Sequence, residues 1–548
     1  MKKFLLASAL FVLPLSAMAA EPVIDGAKLN EHIRILSSDE FEGRGPATAG
    51  ETKTVEYLSR QFEAAGMQPG GDLKDGKRLW TQDVPLAKFD IVGPVAASVS
   101  LGGKARTLTQ GEEIAIRAAQ TGVDSISIKD APLVFVGYGV TAPERNWDDF
   151  KGLDVKGKII VVLVNDPDFE TGKGDFGGVA MTYYGRWTYK YEEAARLGAL
   201  GVLVIHETAP ASYGWATVKN SNTNTMFDIV RADPAKAHAP MEGWITRELA
   251  VDLFKAAGLD FEAEKKKAQT RDFKPVDLKA TLSADYKVKA EVIVSKNVVG
   301  IIPGAERPDE YVIYTAHWDH LGVGRPDARG DAIYNGAVDN ATGTGALIEL
   351  GRAYAKGKPP ARSVVFLAVT AEEKGLLGSE YYAANPLYPL EKTVGVLNTD
   401  ALKPVGATRD FSSSGSIRLE LLDMLIAKGE ARGRVHTPDA NPEAGLFFRS
   451  DHFPFAKRGV PAVSFRSGSE VEGEGAEAAK AWNTMYTRDR YHQPADEWAA
   501  DWPMDGMVAD LTLLFDFGSD LANSTAWPEW GEGAEFKAVR DASKGQRK

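Results

Sequence analysis

Residues 311–320, YVIYTAHWDH, and 363–384, SVVFLAVTAEEKGLLGSEYYAA, decide how this chain is read. In each, a run dense in β-branched and aromatic residues stops at a cluster of histidine or carboxylate side chains, and the second run passes on into a segment of helical spacing. The alternation continues on both sides. Gly343–Ala355 and Leu419–Lys428 read as helices, and Val394–Leu397 and Ala462–Phe465 as short strands. This order predicts an α/β fold, a three-layer sandwich with a mixed, largely parallel central sheet. Ligands of such sheets collect beyond the carboxyl ends of the strands, so the polar residues just past each β run carry the chemical interest.

Further upstream, Asn30–Met67 predicts two helices around a segment bearing Gly43, Gly45 and Gly50, and residues 70–120 read as short strands and turns, including Ile91–Ser100. A different texture begins near Ala131. Leu133–Tyr138, Ile159–Val164 and Gly201–Ile205 are short β runs, with a helical stretch at Tyr189–Leu197, so a small domain with its own strands and helices is expected there. The basic run Lys265–Lys267 marks its exit. Downstream, the acidic, Gly- and Ala-rich segment Ser467–Ala481 reads as a mobile loop.

At the amino end, Lys2 and Lys3 precede the apolar run Phe4–Leu15, and Ala17-Met18-Ala19 offers small residues for cleavage after Ala19 or Ala20. This is the pattern of a secretory signal, so the mature chain is expected in a periplasm or the medium. The run is short for a membrane span and no later stretch approaches twenty uninterrupted apolar residues, so no stable membrane insertion is expected after cleavage.

Composition narrows the chemistry. The 548 residues include no cysteine, which excludes disulfides, cysteine nucleophiles and Cys-type zinc sites and leaves any metal to His, Asp or Glu. The net charge of −12, with no long basic run, argues against a nucleic-acid partner. Peptide-like or small substrates remain, and the oligomeric state is open.

Four strand ends hold suitable groups. In His317-Trp318-Asp319-His320, residues 317 and 319 point the same way on an extended backbone, so His317 can bind a metal while Asp319 holds its other ring nitrogen. Gly336-Ala337-Val338-Asp339-Asn340 precedes a helical run, where the carboxylate of Asp339 can bridge two cations. Glu372-Glu373 follows VVFLAVT, and the pair suits two tasks, one side chain coordinating metal and the other taking a proton from water. Asp400 follows VGVLNT, and His492 supplies a further imidazole. Two imidazoles, three coordinating carboxylates and one spare carboxylate match a two-metal site with a separate base. Ser412-Ser413-Ser414-Gly415 lacks a G-x-S-x-G elbow and reads as a turn, and GTGALIELG reads as close helix packing rather than a phosphate loop.

At these residues the chain resembles the M28 family of cocatalytic zinc peptidases, especially its secreted aminopeptidases and their carboxypeptidase relatives. The stretches are TAHWDHLG, GAVDNATGTGALIELGRA, FLAVTAEEKGLLGSEYYA, NTD, SDHFPFAKRGVPA and YHQPADEW, with HIRILSSDEFEGRG and AGETKTVEYLSRQFEAAGMQP near the amino end. The resemblance implies two Zn2+ ions, one on His317 and Asp400, the other on Glu373 and His492, with Asp339 bridging. It implies Glu372 as general base and Asp319 as the residue orienting His317. It gives no ligand role to His452 or His320, which are expected to be structural, hydrogen-bonded histidines. PLVFVGYG and KGKIIVVL look like parts of a protease-associated domain inserted in the family's manner. The implied division is a signal at 1–20, the first part of the catalytic domain at 21–124, the insert at 125–275 and the main catalytic domain at 276–548. The implied activity is aminopeptidase, with carboxypeptidase or dipeptidase as alternatives. A non-catalytic peptide-binding protein on this fold predicts a missing ligand or base, and none is missing.

Overall fold

Strands buried on both faces cannot alternate polar with apolar residues, and the central strands here do not. Every residue of Arg362–Val369 and of Thr393–Thr399 is buried, as are the last seven of Arg307–His317. In the computed structural model, which describes residues 24–547, these three strands lie side by side and parallel, with Arg307–His317 in the middle. Ala462–Ser467 extends the parallel set beyond Thr393–Thr399, and Asp410–Ser413 runs antiparallel to it. On the far side, Val276–Ile302 pairs antiparallel with Arg362–Val369. The fold is α/β with a mixed sheet, parallel at its centre, as the strand and helix order predicts. The expected signal at 1–20 lies outside the described residues.

Val276–Ile302 gives the molecule its continuity. Its 27 residues pair with Thr81–Leu101 along most of their length, and its first half also pairs with Ser125–Phe135. Ser125–Phe135 leads into a second parallel set, Ile159–Leu163, Gly201–His206 and Met241–Thr246. One sheet therefore runs through the strands of both regions.

Three segments differ from the sequence expectation. Thr81–Leu101 is one strand of 21 residues rather than several short ones. The Gly93-Pro94 pair, which breaks a run when read alone, sits where the register with Asp285 and Lys287 shifts, so a bulge absorbs it and pairing resumes. Within Ser467–Ala481, residues from Ala476 onward form the start of a helix, Ala476–Asp489, because the alanines that suggested a loop are also strong helix formers. Ser412 and Ser413 belong to the strand Asp410–Ser413 rather than to a turn.

Helix Thr342–Lys356 sits against the central strands, with Gly26–Leu36, Ala49–Ala64 and Asp505–Asn523 packed around it. Twelve of its 15 residues are buried. Gly343 shows why its first turn is small: a Cβ there would stand 2.6 Å from the Thr399 carbonyl and 2.4 Å from Oδ1 of Asn340. The helix start is thus pressed onto the end of the strand that delivers Asp400.

Candidate metal centre

Sheet register assembles the centre. His317 stands opposite Val369, while Thr315 stands opposite Leu367 on one side and Asn398 on the other. Strand neighbours lie about 4.8 Å apart, so the residues leaving these three strands, Glu372-Glu373 and Asp400, emerge on either side of His317. The turns that carry them are left-handed at non-glycine residues, Ala371 (φ 52°) and Ala401 (φ 58°), and His492 has φ 56°. Left-handed residues of this kind carry strain that their surroundings must hold in place, and they cluster at functional sites.

Asp339 is the hub. Its Oδ1 lies 3.2 Å from Nε2 of His317, and its Oδ2 lies 3.3 Å from Nε2 of His492. The same nitrogen of His317 is 3.3 Å from Oδ1 of Asp400, and that of His492 is 3.1 Å from Oε2 of Glu373. His317, Asp339 and Asp400 form one group whose donor atoms all lie within 4.8 Å of one another, His317 with Glu372 and Glu373 a second, and His320 with Asp339 and Glu373 a third. All seven residues singled out from sequence thus meet in one place.

Asp319 reaches the centre differently from its expected role. Nδ1 of His317 is 3.1 Å from the main-chain oxygen of Asp319 and 3.8 Å from its carboxylate. The carboxylate instead accepts the backbone N–H groups of Glu372 (3.1 Å) and Glu373 (3.4 Å), so it fixes the turn that bears both glutamates.

The electrostatics favour a cation. Asp339, Glu372, Glu373, Asp400 and Asp319 converge on the imidazoles of His317, His320 and His492. Burial alone would lower the pKa of His492, yet Glu373 and Asp339 raise it to about 10. Burial raises the Glu372 carboxyl well above its ordinary range against the pull of His317, and Asp451, Glu373 and Asp400 add to the rise. Oε1 of Glu373 and both ring nitrogens of His320 are buried and make no hydrogen bond, although Nδ1 of His320 stands 2.7 Å from that oxygen. Orphaned buried donors and acceptors at a histidine–carboxylate cluster are what a metal would satisfy. The donor set fits one or two zinc ions, with no sulfur ligand required.

Residues around the ligands hold them. Ser450 donates from Oγ to Oδ2 of Asp400 (2.8 Å) and accepts from Nδ2 of Asn398 (2.7 Å). Asp496 accepts the backbone N–H groups of Val338 and Asp339, both at 3.1 Å, and the hydroxyl of Tyr486. Arg44, fully buried, donates to the carbonyls of Leu36, Trp318, Asn335 and Gly336 at 2.6–2.8 Å, so one side chain clamps the segments that bear His317 and Asp339. Sequence reasoning missed these supports, although Arg44, Ser450 and Asp496 all lie in the stretches EGRG, SDH and YHQPADEW. It also gave no site role to His320, which borders Glu373. His452 is buried with its ring edge-on to Phe447 at 4.6 Å, away from the ligand groups, in a structural setting. Burial lowers its pKa to about 3, so it is neutral. Tyr491 stacks on His492 at the rim, 46% exposed.

Residues 297–515 match the model of peptidase family M28. That M28 segment contains every one of the seven site residues, whereas Arg44 and the strands between residues 125 and 275 lie outside it. The chain is similar to the mouse protein named Aminopeptidase NAALADL1, 35% identical over 161 residues that make up 25% of this chain and 20% of the relative. It is also similar to a maize protein named Probable glutamate carboxypeptidase VP8, 30% identical over 196 residues, 32% of this chain and 25% of the relative. The chain thus spans a quarter or less of the length of these two relatives. Among solved structures, an aminopeptidase from Aneurinibacillus sp. strain AM-1 aligns over 92% of this chain and 95% of its own, with 18% identity and a TM-score of 0.48.

Proposed function

We propose that the chain is a zinc-dependent aminopeptidase that removes N-terminal residues from peptides. His317 and Asp400 would hold one zinc, Glu373 and His492 the other, and Asp339 both. The observation that carries this reading is the division of Asp339, one oxygen toward His317 and the other toward His492. When bound, such a metal pair acts as a Lewis acid on the scissile carbonyl and lowers the pKa of water.

The chain's own residues supply the rest. Glu372 accepts the proton of the attacking water and returns it to the departing amine, so no acyl-enzyme is needed. Its raised affinity for protons suits that exchange, and Asp319 holds the Glu372 and Glu373 backbone in register with His317. Ser450 and Asn398 keep the outer oxygen of Asp400 engaged.

In this reading residues 1–20 direct export to a periplasm or the medium, and 125–275 form a protease-associated domain inserted between the two parts of the catalytic domain. Among the described residues no helix is long and apolar enough to cross a membrane. A carboxypeptidase or dipeptidase is the second reading, because the relatives' names divide between aminopeptidase and carboxypeptidase.

The test uses the zinc-loaded protein and one tripeptide in three forms: free, N-acetylated and C-amidated. Cleavage of the free and amidated forms, lost on acetylation and on chelation and restored by zinc, is expected. Cleavage that survives acetylation but fails on amidation replaces the aminopeptidase with a carboxypeptidase, and activity indifferent to chelation overturns the metal mechanism.

A further inference from the structure

His320 is fully buried at the metal centre and has no part in the ligand set proposed above. Its Nδ1 stands 2.7 Å from Oε1 of Glu373. Both atoms are cut off from solvent and have no other partner, while the second oxygen of Glu373, Oε2, faces Nε2 of His492 at 3.1 Å. His320 either shares a cation with Glu373 or acts on Glu373 directly. Distance separates the two roles.

Two ligands of one tetrahedral zinc, each about 2.0–2.2 Å from the metal, stand about 3.3 Å apart. The contacts of the proposed ligands match that edge: His317 lies 3.2 Å from Asp339 and 3.3 Å from Asp400, and His492 lies 3.3 Å from Asp339 and 3.1 Å from Glu373. The separation of 2.7 Å between His320 and Glu373 falls well short of it. It has instead the length of a direct N–H to carboxylate contact.

The rest of the His320 ring meets the same side of the centre. It stands edge-on to His492, with ring centres 5.7 Å apart. It also packs on Gly336, three residues before Asp339, where a Cβ would stand 2.5 Å from Cγ of His320. The His320 N–H points to the carbonyl of Arg44 at 3.4 Å, the residue that clamps the Trp318 and Gly336 carbonyls. Glu373, His492 and the approach to Asp339 are thus all in reach of one imidazole. The other metal position has a support of its own in Ser450, which holds the outer oxygen of Asp400.

We infer that His320 is the positioning residue of the second metal position, occupying Oε1 of Glu373 so that this carboxylate offers a metal only Oε2, on the side of His492. A carboxylate whose outer oxygen is held cannot swing or chelate through both oxygens, and partners of this kind sustain metal affinity without touching the metal. The inference deepens the metal assignment made above and rests on it.

The test uses the full chain, stripped of metal and returned to zinc at buffered free concentrations. Zinc per chain gives the total, and anomalous diffraction from crystals gives the occupancy of each position. His320→Leu should weaken zinc at the position of Glu373 and His492 by roughly 10–100-fold, and leave that of His317 and Asp400 within about threefold of wild type. His320→Asn should recover most of the loss, because its amide N–H lies where Nδ1 does, whereas His320→Gln, whose amide reaches the place of Nε2, should not. In the zinc-loaded wild type both nitrogens of His320 should stand beyond about 3 Å from either metal; a zinc about 2.0–2.1 Å from one of them makes His320 a ligand and overturns the positioning role. Unchanged occupancy in His320→Leu and His320→Gln, or equal loss at both positions, overturns it too while leaving zinc binding in place. Absence of zinc from the wild type rejects the metal assignment itself, and this inference with it. Thermal unfolding of the metal-free variants separates a folding defect from lost affinity, and if His320→Leu does not fold, the comparison of His320→Asn with His320→Gln decides.

Discussion

Asp339 divides its carboxylate between two imidazoles, one oxygen toward each. Asp339→Asn keeps the size but gives up the charge and one acceptor, so both metal positions should lose occupancy together, read as zinc per chain after dialysis. Glu372→Gln should behave in the opposite way. It should retain zinc while kcat falls by about 10²–10⁴-fold, the usual worth of a positioned proton acceptor; wild-type turnover in this variant would remove Glu372 from the mechanism. Ser450→Ala removes the hydrogen bond to Oδ2 of Asp400, and zinc affinity measured by chelator competition should weaken by roughly 10–100-fold, the range for such supporting contacts. His317, Glu372-Glu373 and Asp400 are readable in the sequence because each follows a buried β run, and Asp339 and His492 stand out as a carboxylate before a helical run and a further imidazole. Their partners are not. Ser450 and Asp496 carry no signal of their own, since a serine or aspartate in a loop has no local feature that says which distant backbone it will bind.

The parallel strands and the turns leaving them are what turn scattered residues into a centre. Arg307–His317 lies between Arg362–Val369 and Thr393–Thr399, so a shift of one residue in either pairing would carry Glu373 or Asp400 away from His317. Arg44 holds the remaining loop from outside the sheet. Arg44→Met would leave four buried carbonyls without their donor, and at about 1–3 kcal/mol for each buried group left unpaired the loss should exceed about 3 kcal/mol. Denaturant unfolding measures that loss, and zinc affinity should fall with it because the clamped carbonyls of Trp318 and Gly336 flank His317 and precede Asp339. The strands and helices of this half follow the sequence pattern closely, since long apolar runs and amphipathic helices are local signals. Thr81–Leu101 and the helix Ala476–Asp489 do not, because the first depends on a distant partner strand and the second on an Ala-rich composition that suits loop and helix alike.

At the scale of the molecule, the region between residues 125 and 275 shares a sheet with the M28 segment and joins it through charged contacts. Asp228 and Glu242 flank His238 at 3.1 and 3.2 Å, and Arg231, paired with Asp228 at 2.6 Å, also approaches Glu380 of the M28 segment at 3.7 Å. Burial would lower the His238 pKa, but the two carboxylates raise it from 6.5 to about 9. A pKa raised on folding stabilises the folded state wherever both states are protonated. The contribution is therefore full below about pH 6.5 and is lost as pH rises through about 9. A shift of this size corresponds to about 3 kcal/mol. Unfolding free energies of wild type and His238→Gln should accordingly differ most near pH 6 and converge above pH 9.5; a difference that does not shrink with pH would mean that His238 is not the titrating group.

By itself the sequence determined the class of chemistry and the α/β order. The absence of cysteine left metal binding to histidine and carboxylates, and strand periodicity placed those groups at the ends of buried runs. Both are local properties, written in the spacing of neighbouring residues. Only the tertiary structure decided which oxygen faces which imidazole, that Asp319 braces the glutamate turn, and that Arg44 clamps two loops from almost 300 residues away. Those facts are set by packing between segments far apart in the chain, and no local pattern encodes a contact whose two halves lie in different regions of the fold.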